Sequence, residues 1–206
     1  MRFAAVLSDL DGVLVDSGDA VEAVWRDWAA ARGLDADAVA RASHGVPSRE
    51  VIAAVAPDLD AAAEAERVDA LHAATSCRAL PGAAELLAAA PGRAGLGLAV
   101  VTSCGSALAA ARLHSAGLPE PAILVTADAV RRGKPAPDAY LVAAQALGAE
   151  PGDCVVIEDA PAGVRAGRAA GMTVWAVTTT HTEEELEAAD RTAADLSALL
   201  APLGLA

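Results

Sequence analysis

Short apolar runs recur along this chain of 206 residues, and a helical pattern follows most of them. These runs are too short for helices and are predicted to be buried strands, at residues 3–8, 98–102, 123–125, 154–157 and 173–177. Apolar residues spaced three and four apart, as at Val21, Val24, Trp25 and Trp28, predict helices elsewhere. Because strands that alternate with helices imply βαβ units, we expect an α/β fold: a parallel sheet sandwiched by helices.

The alternation is interrupted between residues 17 and 80, where helical segments are expected and no strand signal occurs. After a first helix that ends at Gly33, further helices are predicted over about 36–42, 48–55 and 61–75. The region is interpreted as an all-helical insertion. The predicted domains are therefore a core of residues 1–16 and 81–206 and a helical cap of residues 17–80. One or two C-terminal helices are expected, at about 183–189 and 193–200.

Composition and charge narrow the classes of partner and compartment. The net charge is −13, and no Lys/Arg cluster is long enough to bind a nucleic-acid backbone, so a nucleic-acid partner is not expected. Cys77, Cys104 and Cys154 lie far apart, without the C-x-x-C spacing of a zinc site, and are interpreted as reduced thiols. Neither a signal peptide nor a membrane span is expected from the sequence, since it lacks the corresponding apolar patterns. We expect a cytoplasmic protein without a membrane partner, as a monomer or weak dimer.

Polar residues stand where the predicted strands end. They are Asp9 and Asp11, Thr102 and Ser103, and Glu158 and Asp159. In an open α/β sheet, ligands bind outside the carboxyl ends of the strands, so these segments are expected to meet at one site. Each pair also has a purely structural interpretation. Asp9 and Asp11 can close a strand and a turn, whereas Thr102 and the Glu158-Asp159 pair can cap the helices that follow them.

Four motifs together carry a family resemblance. They are Asp9-x-Asp11-Gly12, Thr102 at the end of a strand, Lys134 within Gly133-Lys134-Pro135, and Glu158-Asp159 followed by Ala160-Pro161-Ala162-Gly163. In this order, the whole chain resembles the haloacid dehalogenase superfamily of phosphohydrolases. The resemblance implies a Rossmann-like core, and the position of the insertion is similar to the branch with a helical cap. Several segments, among them residues 132–141, are similar to glycerol-phosphate, sugar-phosphate and hexitol-phosphate phosphatases.

The resemblance assigns chemical roles to these motifs. Asp9 would attack phosphorus and form an aspartyl-phosphate, and Asp11 would protonate the leaving alkoxide and then activate water. Thr102, Ser103 and Lys134 would bind the phosphoryl oxygens. The cofactor implied is Mg²⁺, which prefers oxygen ligands. Its ligands would be Asp9, the backbone carbonyl of Asp11, Asp159, and Glu158 either directly or through water.

The substrate contacts in the cap are less defined. His44 either binds a substrate hydroxyl or packs within the cap, and both interpretations stay open. Arg49 is favoured slightly as a contact for an anionic substrate over a plain surface residue. The chain departs from the phosphatase group at Pro47 and at Cys104-Gly105-Ser106, where that group often carries Arg and Gly.

The expected function is an Mg²⁺-dependent phosphatase that hydrolyses the phosphomonoester of a small sugar or polyol phosphate. One alternative is an isomerase similar to β-phosphoglucomutase, although Val21 stands where that group usually carries His. Another alternative is a non-catalytic, metabolite-binding module. The non-catalytic module is disfavoured, because the chain keeps the motif residues Asp9, Asp11, Lys134 and Asp159.

Overall fold

The computed structural model describes residues 3–43, 46–90 and 92–205. Within them the strands are β1 (Ala5–Ser8), β2 (Val15–Asp16), β3 (Arg78–Ala79), β4 (Gly97–Val101), β5 (Leu124–Val125), β6 (Cys154–Glu158), β7 (Thr173–Val177) and β8 (Arg191–Ala193). A parallel sheet has the order β5-β4-β1-β6-β7-β8. Since β1 lies between β4 and β6, the chain leaves the centre of the sheet at Asp9. The prediction of an α/β fold is confirmed.

Helices cover both faces of this sheet. The helices are α1 (Gly18–Ala30), α2 (Ala36–Ala42), α3 (Ser48–Val55), α4 (Ala61–Ala73), α5 (Ala83–Ala89), α6 (Ser106–Ser115), α7 (Asp138–Leu147), α8 (Pro161–Ala169) and α9 (Ser197–Leu203). Alternate strand residues point to opposite faces. Val6 packs with α5, α6 and α9, whereas Leu7 packs with α7 and α8. None of the helices in the described ranges is long and apolar enough to cross a bilayer.

The inserted region has a core of its own. Helices α1 to α4 bury Trp25, Trp28, Ile52 and Val68 in a cluster separate from the two sheet faces. One expectation for this region is wrong: β3 lies inside the stretch in which no strand was predicted, and it pairs antiparallel with β2. Each of these strands is only two residues long, which leaves too few positions for a period-two pattern in the sequence. The pair lies where the chain enters and leaves the insertion.

The C-terminal prediction is also partly wrong. Residues 183–188 form turns rather than a helix, β8 follows them, and the last helix spans Ser197–Leu203 instead of 193–200. Asp190 explains the change, because its carboxylate accepts a hydrogen bond from the Val174 amide at 2.8 Å and its own amide donates to the Val174 carbonyl at 2.7 Å. Pairing with the edge of β7 therefore outweighs the local helix propensity of the Glu-rich segment.

Candidate active site

The centre of the site is a buried ammonium group between two carboxylates. Nζ of Lys134 lies 2.9 Å from Oδ1 of Asp9 and 2.6 Å from Oε1 of Glu158, and it donates to the Val101 carbonyl at 3.2 Å. Asp9 follows β1, Glu158 ends β6 and Val101 ends β4. The sheet therefore brings these residues together at its carboxyl edge, as the strand-end pattern predicts.

This burial changes the protonation of the site. Burial raises the pKa of Asp9 to about 7, with Lys134 opposing the shift and Glu158 adding to it. Burial raises the pKa of Asp159 well above its ordinary value, and the nearby charges of Glu158 and Asp9 raise it further. Burial alone would lower the pKa of Lys134, but the two carboxylates beside it raise that pKa well above its ordinary value. Lys134 is therefore charged, whereas the carboxyl groups of Asp9 and Asp159 resist ionisation because they are buried beside other carboxylates.

The acidic residues suit a divalent cation. Asp9, Glu158 and Asp159 each place a carboxylate oxygen within 4.8 Å of the other two. Oδ1 of Asp159 is buried without a hydrogen-bond partner in the described part of the chain, although buried polar atoms are normally paired. Three carboxylates face one ammonium group. A hard cation such as Mg²⁺, which takes oxygen ligands, would stabilise the ionised form of these carboxyl groups and would pair with the Asp159 oxygen.

Both carboxylate oxygens of Glu158 accept hydrogen bonds from other groups of the protein. Its Oε1 accepts hydrogen bonds from Lys134 and from the Tyr140 hydroxyl at 2.7 Å. Its Oε2 accepts from the backbone amides of the next two residues at 3.0 and 3.2 Å. At Gly163 in α8, an added Cβ would lie 1.7 Å from Oε1, so a glycine is required for this approach. Glu158 therefore fixes Lys134 and the start of α8.

Asp11 has different partners from Asp9. Its Oδ1 accepts a hydrogen bond from the Ser17 hydroxyl at 2.5 Å, and its Oδ2 accepts from Nη1 of Arg112. The Cys104 thiol lies 3.3 Å from the same Oδ2. Burial raises the pKa of Cys104 far above its ordinary value, so this residue is a neutral thiol that packs beside the carboxylate. Asp11 is thus held between α6 and the start of α1.

A cavity of about 320 Å³ separates the core from the insertion. The core wall includes Asp9, Asp11, Thr102, Ser103, Arg112 and Asp159, and the opposite wall includes Val21, Glu22, Trp25, Ser43, Val46, Ser48 and His72. Volumes of this order accommodate small-molecule ligands. The carboxylates of the core therefore open into a space that the insertion covers.

Comparison with known proteins identifies the family. A family model described as haloacid dehalogenase-like hydrolase matches residues 3–171. The chain belongs to the haloacid dehalogenase-like hydrolases. The resemblance found in the sequence is thereby confirmed, and the protein is an enzyme.

Three relatives illustrate the similarity. The chain is 47% identical over 182 residues to hexitol phosphatase A of Escherichia coli strain K12, covering 86% of this chain and 84% of that protein. It is 36% identical to a fructose-1-phosphate phosphatase of the same organism, over 83% of this chain and 94% of that one. The crystal structure of a hydrolase from Pseudomonas syringae has a TM-score of 0.85 and 30% identity, over 98% of each chain.

The predicted site residues fall into two groups. The first group lies together in the core and consists of Asp9, Lys134, Glu158 and Asp159. Beside it, the cavity is lined by Thr102 and Ser103. Oγ1 of Thr102 accepts a hydrogen bond from the Cys104 amide at 3.1 Å.

The two cap residues stand apart from this group. Arg49 lies exposed on α3 and is not among the described residues that line the cavity. His44 lies outside the described residues.

The sequence analysis missed several residues that contact the site. Thr180 donates a hydrogen bond to Oδ2 of Asp159, and Thr179 donates to the Gly12 carbonyl. The sequence did contain a signal for these two residues, because three threonines directly follow β7, which is another strand of the parallel sheet. Arg112 and His72 carried no such signal, since each lies within a helix and reaches the cavity only through tertiary packing.

Proposed function

We propose that this hydrolase is an Mg²⁺-dependent phosphatase that removes the phosphate of a small sugar or polyol phosphate. The observation that carries the proposal is the Asp9 carboxylate, which is bound to the buried Lys134 ammonium and grouped with Glu158 and Asp159. Asp9 and Asp159 of this group line the cavity. The names of the two phosphatase relatives support a sugar or polyol phosphate as the substrate class.

The proposed reaction has two steps. Asp9 attacks phosphorus, an aspartyl-phosphate forms, and the bond from phosphorus to the alcohol oxygen breaks. Asp11 gives its proton to the departing alkoxide and then takes a proton from the water that attacks the aspartyl-phosphate. Inorganic phosphate leaves and Asp9 is regenerated. Lys134 stabilises the charge on the transferring phosphoryl group, with Thr102 and Ser103 as further donors.

Asp9 and Asp159 are the proposed ligands of the metal. The Asp11 backbone carbonyl and Glu158 complete the proposed set, with Glu158 binding directly or through water. When bound, Mg²⁺ supplies positive charge that allows a carboxylate nucleophile to approach a phosphate dianion. Thr180 positions the Asp159 side chain for this role, because its hydroxyl donates a hydrogen bond to Oδ2 of Asp159.

The insertion would serve as a cap. Residues 17–80 form the proposed cap domain, and residues 1–16 with 81–206 form the catalytic core. Closure of the cap over the cavity would exclude water and present the residues that recognise the substrate. His44 and Arg49 stay predicted substrate contacts.

A phosphate-release assay tests the function. The protein is incubated with p-nitrophenyl phosphate and with a panel of hexose, hexitol and triose phosphates, in Mg²⁺ or in EDTA. We expect release of phosphate in Mg²⁺ and none in EDTA, with Asp9→Asn as the inactive control. Conversion of glucose 1-phosphate to glucose 6-phosphate would instead indicate a mutase. Binding without turnover would contradict the proposal.

A further inference from the structure

His72 is a buried polar residue whose hydrogen bonding is incomplete. It lies in the last turn of α4, is 2% exposed, and lines the cavity on the side of the insertion. Its Nε2 has no hydrogen-bond partner among the described residues. Because buried polar atoms in native proteins are nearly always paired, an unpaired nitrogen at a cavity wall points to a partner from outside the chain.

Neighbouring polar groups in the insertion are paired, so His72 is an exception there. The buried Glu64 accepts hydrogen bonds from Trp28 at 3.0 Å and from Arg67 at 2.6 Å. The buried Ser43 donates to the Ala40 carbonyl at 2.8 Å. Among the described residues of the insertion, the buried side-chain polar atoms other than Nε2 of His72 have partners. The unpaired nitrogen of His72 is not a general feature of this region.

The surroundings of His72 keep its imidazole neutral. Its ring packs against that of Trp25, with 5.9 Å between the ring centroids. Burial and, to a lesser extent, the positive charge of Arg112 lower the pKa of His72 to about 4, against a smaller opposing effect from the Val21 carbonyl and Asp11. A neutral imidazole has one donor and one acceptor nitrogen. A hydroxyl group can form a hydrogen bond with either nitrogen, whereas an anion would gain no charge attraction from the neutral ring.

The charge of the cavity agrees with an uncharged ligand at this position. Among the described residues that line the cavity, Arg112 is the one guanidinium or ammonium group, and its Nη1 already donates to Asp11. The carboxylate of Glu22 lies on the same wall as His72. Nε of Arg112 has no hydrogen-bond partner among the described residues, but the charge of this guanidinium already faces the Asp11 carboxylate. A second phosphate group next to His72 would therefore find no cation without a carboxylate partner among these residues.

We propose that His72 is a specificity-determining residue, whose Nε2 forms a hydrogen bond with a hydroxyl of the sugar or polyol part of the substrate. The inference rests on the proposed phosphatase function and adds to it a residue that recognises the part of the substrate that is not phosphorylated. It predicts a preference for substrates with a single phosphate and an uncharged, hydroxylated body.

Two substitutions and two substrates test this role. His72→Leu removes the hydrogen bond, whereas His72→Gln retains a donor and an acceptor at a similar reach. The substrates are the best hexitol phosphate of the panel and p-nitrophenyl phosphate, which has no hydroxyl on its ring. We expect His72→Leu to reduce kcat/KM for the hexitol phosphate about 10-fold, mainly through KM, with little change for p-nitrophenyl phosphate. His72→Gln should restore most of the loss.

The outcomes separate this inference from the proposed function. An equal loss on both substrates, or no loss on either, would overturn the role of His72 while the phosphatase function stands. If the wild-type protein hydrolyses neither substrate, the function fails, and ligand binding then decides the role of His72. The shift in Tm caused by the hexitol phosphate should exceed that caused by inorganic phosphate in the wild type, and His72→Leu should abolish the difference. A difference that survives in the variant would overturn the inference.

Discussion

The Arg112 guanidinium donates a hydrogen bond to the Asp11 carboxylate across 101 positions of the sequence. The other oxygen of Asp11 accepts from Ser17, the residue directly before α1. Arg112 belongs to the core, whereas α1 begins the insertion. The proposed acid–base residue is therefore held at the junction of the two regions, and its position depends on both.

Arg112 should affect protonation of the leaving group. We expect Arg112→Met to reduce kcat for alkyl phosphates about 10-fold or more, because the Asp11 carboxylate loses a fixed donor and its position. p-Nitrophenyl phosphate, whose leaving group needs little protonation, should be affected much less. Steady-state kinetics on both substrates measures the difference. Equal reductions would show that Arg112 does not act through Asp11.

Lys134 should be essential for stability as well as for catalysis. Lys134→Met leaves the buried carboxylates of Asp9 and Glu158 without their cation, and we expect the free energy of unfolding in EDTA to fall by about 3 kcal/mol. A matched control is Arg132→Met in the same loop, which removes an exposed ion pair with Asp138 and should cost less than about 1 kcal/mol. Urea unfolding measures both, and similar losses for the two variants would refute the prediction.

Gly12 should be required for metal binding. It has a φ of +75°, and an added Cβ would lie 1.9 Å from Oδ2 of Asp159. We therefore expect Gly12→Ala to displace Asp159 and to abolish the stabilisation by Mg²⁺ in thermal unfolding.

Gly33 provides the control for this substitution. It has a φ of +67° and open space at its Cβ position, so Gly33→Ala introduces similar backbone strain without contact with the site. This variant should lose about 1 kcal/mol of stability and keep the full effect of Mg²⁺. If both variants respond to Mg²⁺ like the wild type, the approach of Gly12 to Asp159 has no role in metal binding.

His72 should make the stability depend on pH below neutrality. In the unfolded chain its pKa is 6.5, whereas in the folded protein burial lowers it to about 4. As the pH falls from 6.5 towards 4, the unfolded state takes up a proton that the folded state resists. The free energy of unfolding should then decrease, by at most about 1.4 kcal/mol per pH unit.

A neutral variant isolates this contribution. His72→Gln lacks the titrating group, so the wild type should lose stability relative to this variant between pH 6.5 and pH 4 and not above pH 7. Urea unfolding across this range gives the difference between the two proteins. Parallel pH profiles would contradict the burial of a neutral imidazole.

The core motifs were predictable because they depend on local sequence and on one rule of topology. Asp9, Thr102 and Asp159 each follow an apolar run, and parallel strands bring their carboxyl ends to one edge. The same rule applied to β7 would have found Thr179 and Thr180. The edge strand β8 was missed because pairing of Asp190 with Val174 decides it, and no periodicity in the segment signals that contact.

The same reasoning could not have identified Arg112 and His72 as residues of the site. Both lie in helices whose patterns indicate packing, and their partners are distant in the chain. A helical pattern shows which face is buried, but it does not show that a buried polar residue on that face borders a cavity. Such residues become visible only when the insertion and the core are placed against each other.

Trapping the covalent intermediate tests the central proposal most directly. The protein is mixed with excess substrate and Mg²⁺, quenched in acid during turnover, and digested for mass spectrometry. We predict one phosphoryl group on the peptide that contains Asp9, absent in EDTA and absent in Asp9→Asn. Turnover that proceeds with a phosphoryl group on another residue, or with unmodified Asp9 peptide throughout, would contradict the proposed role of Asp9.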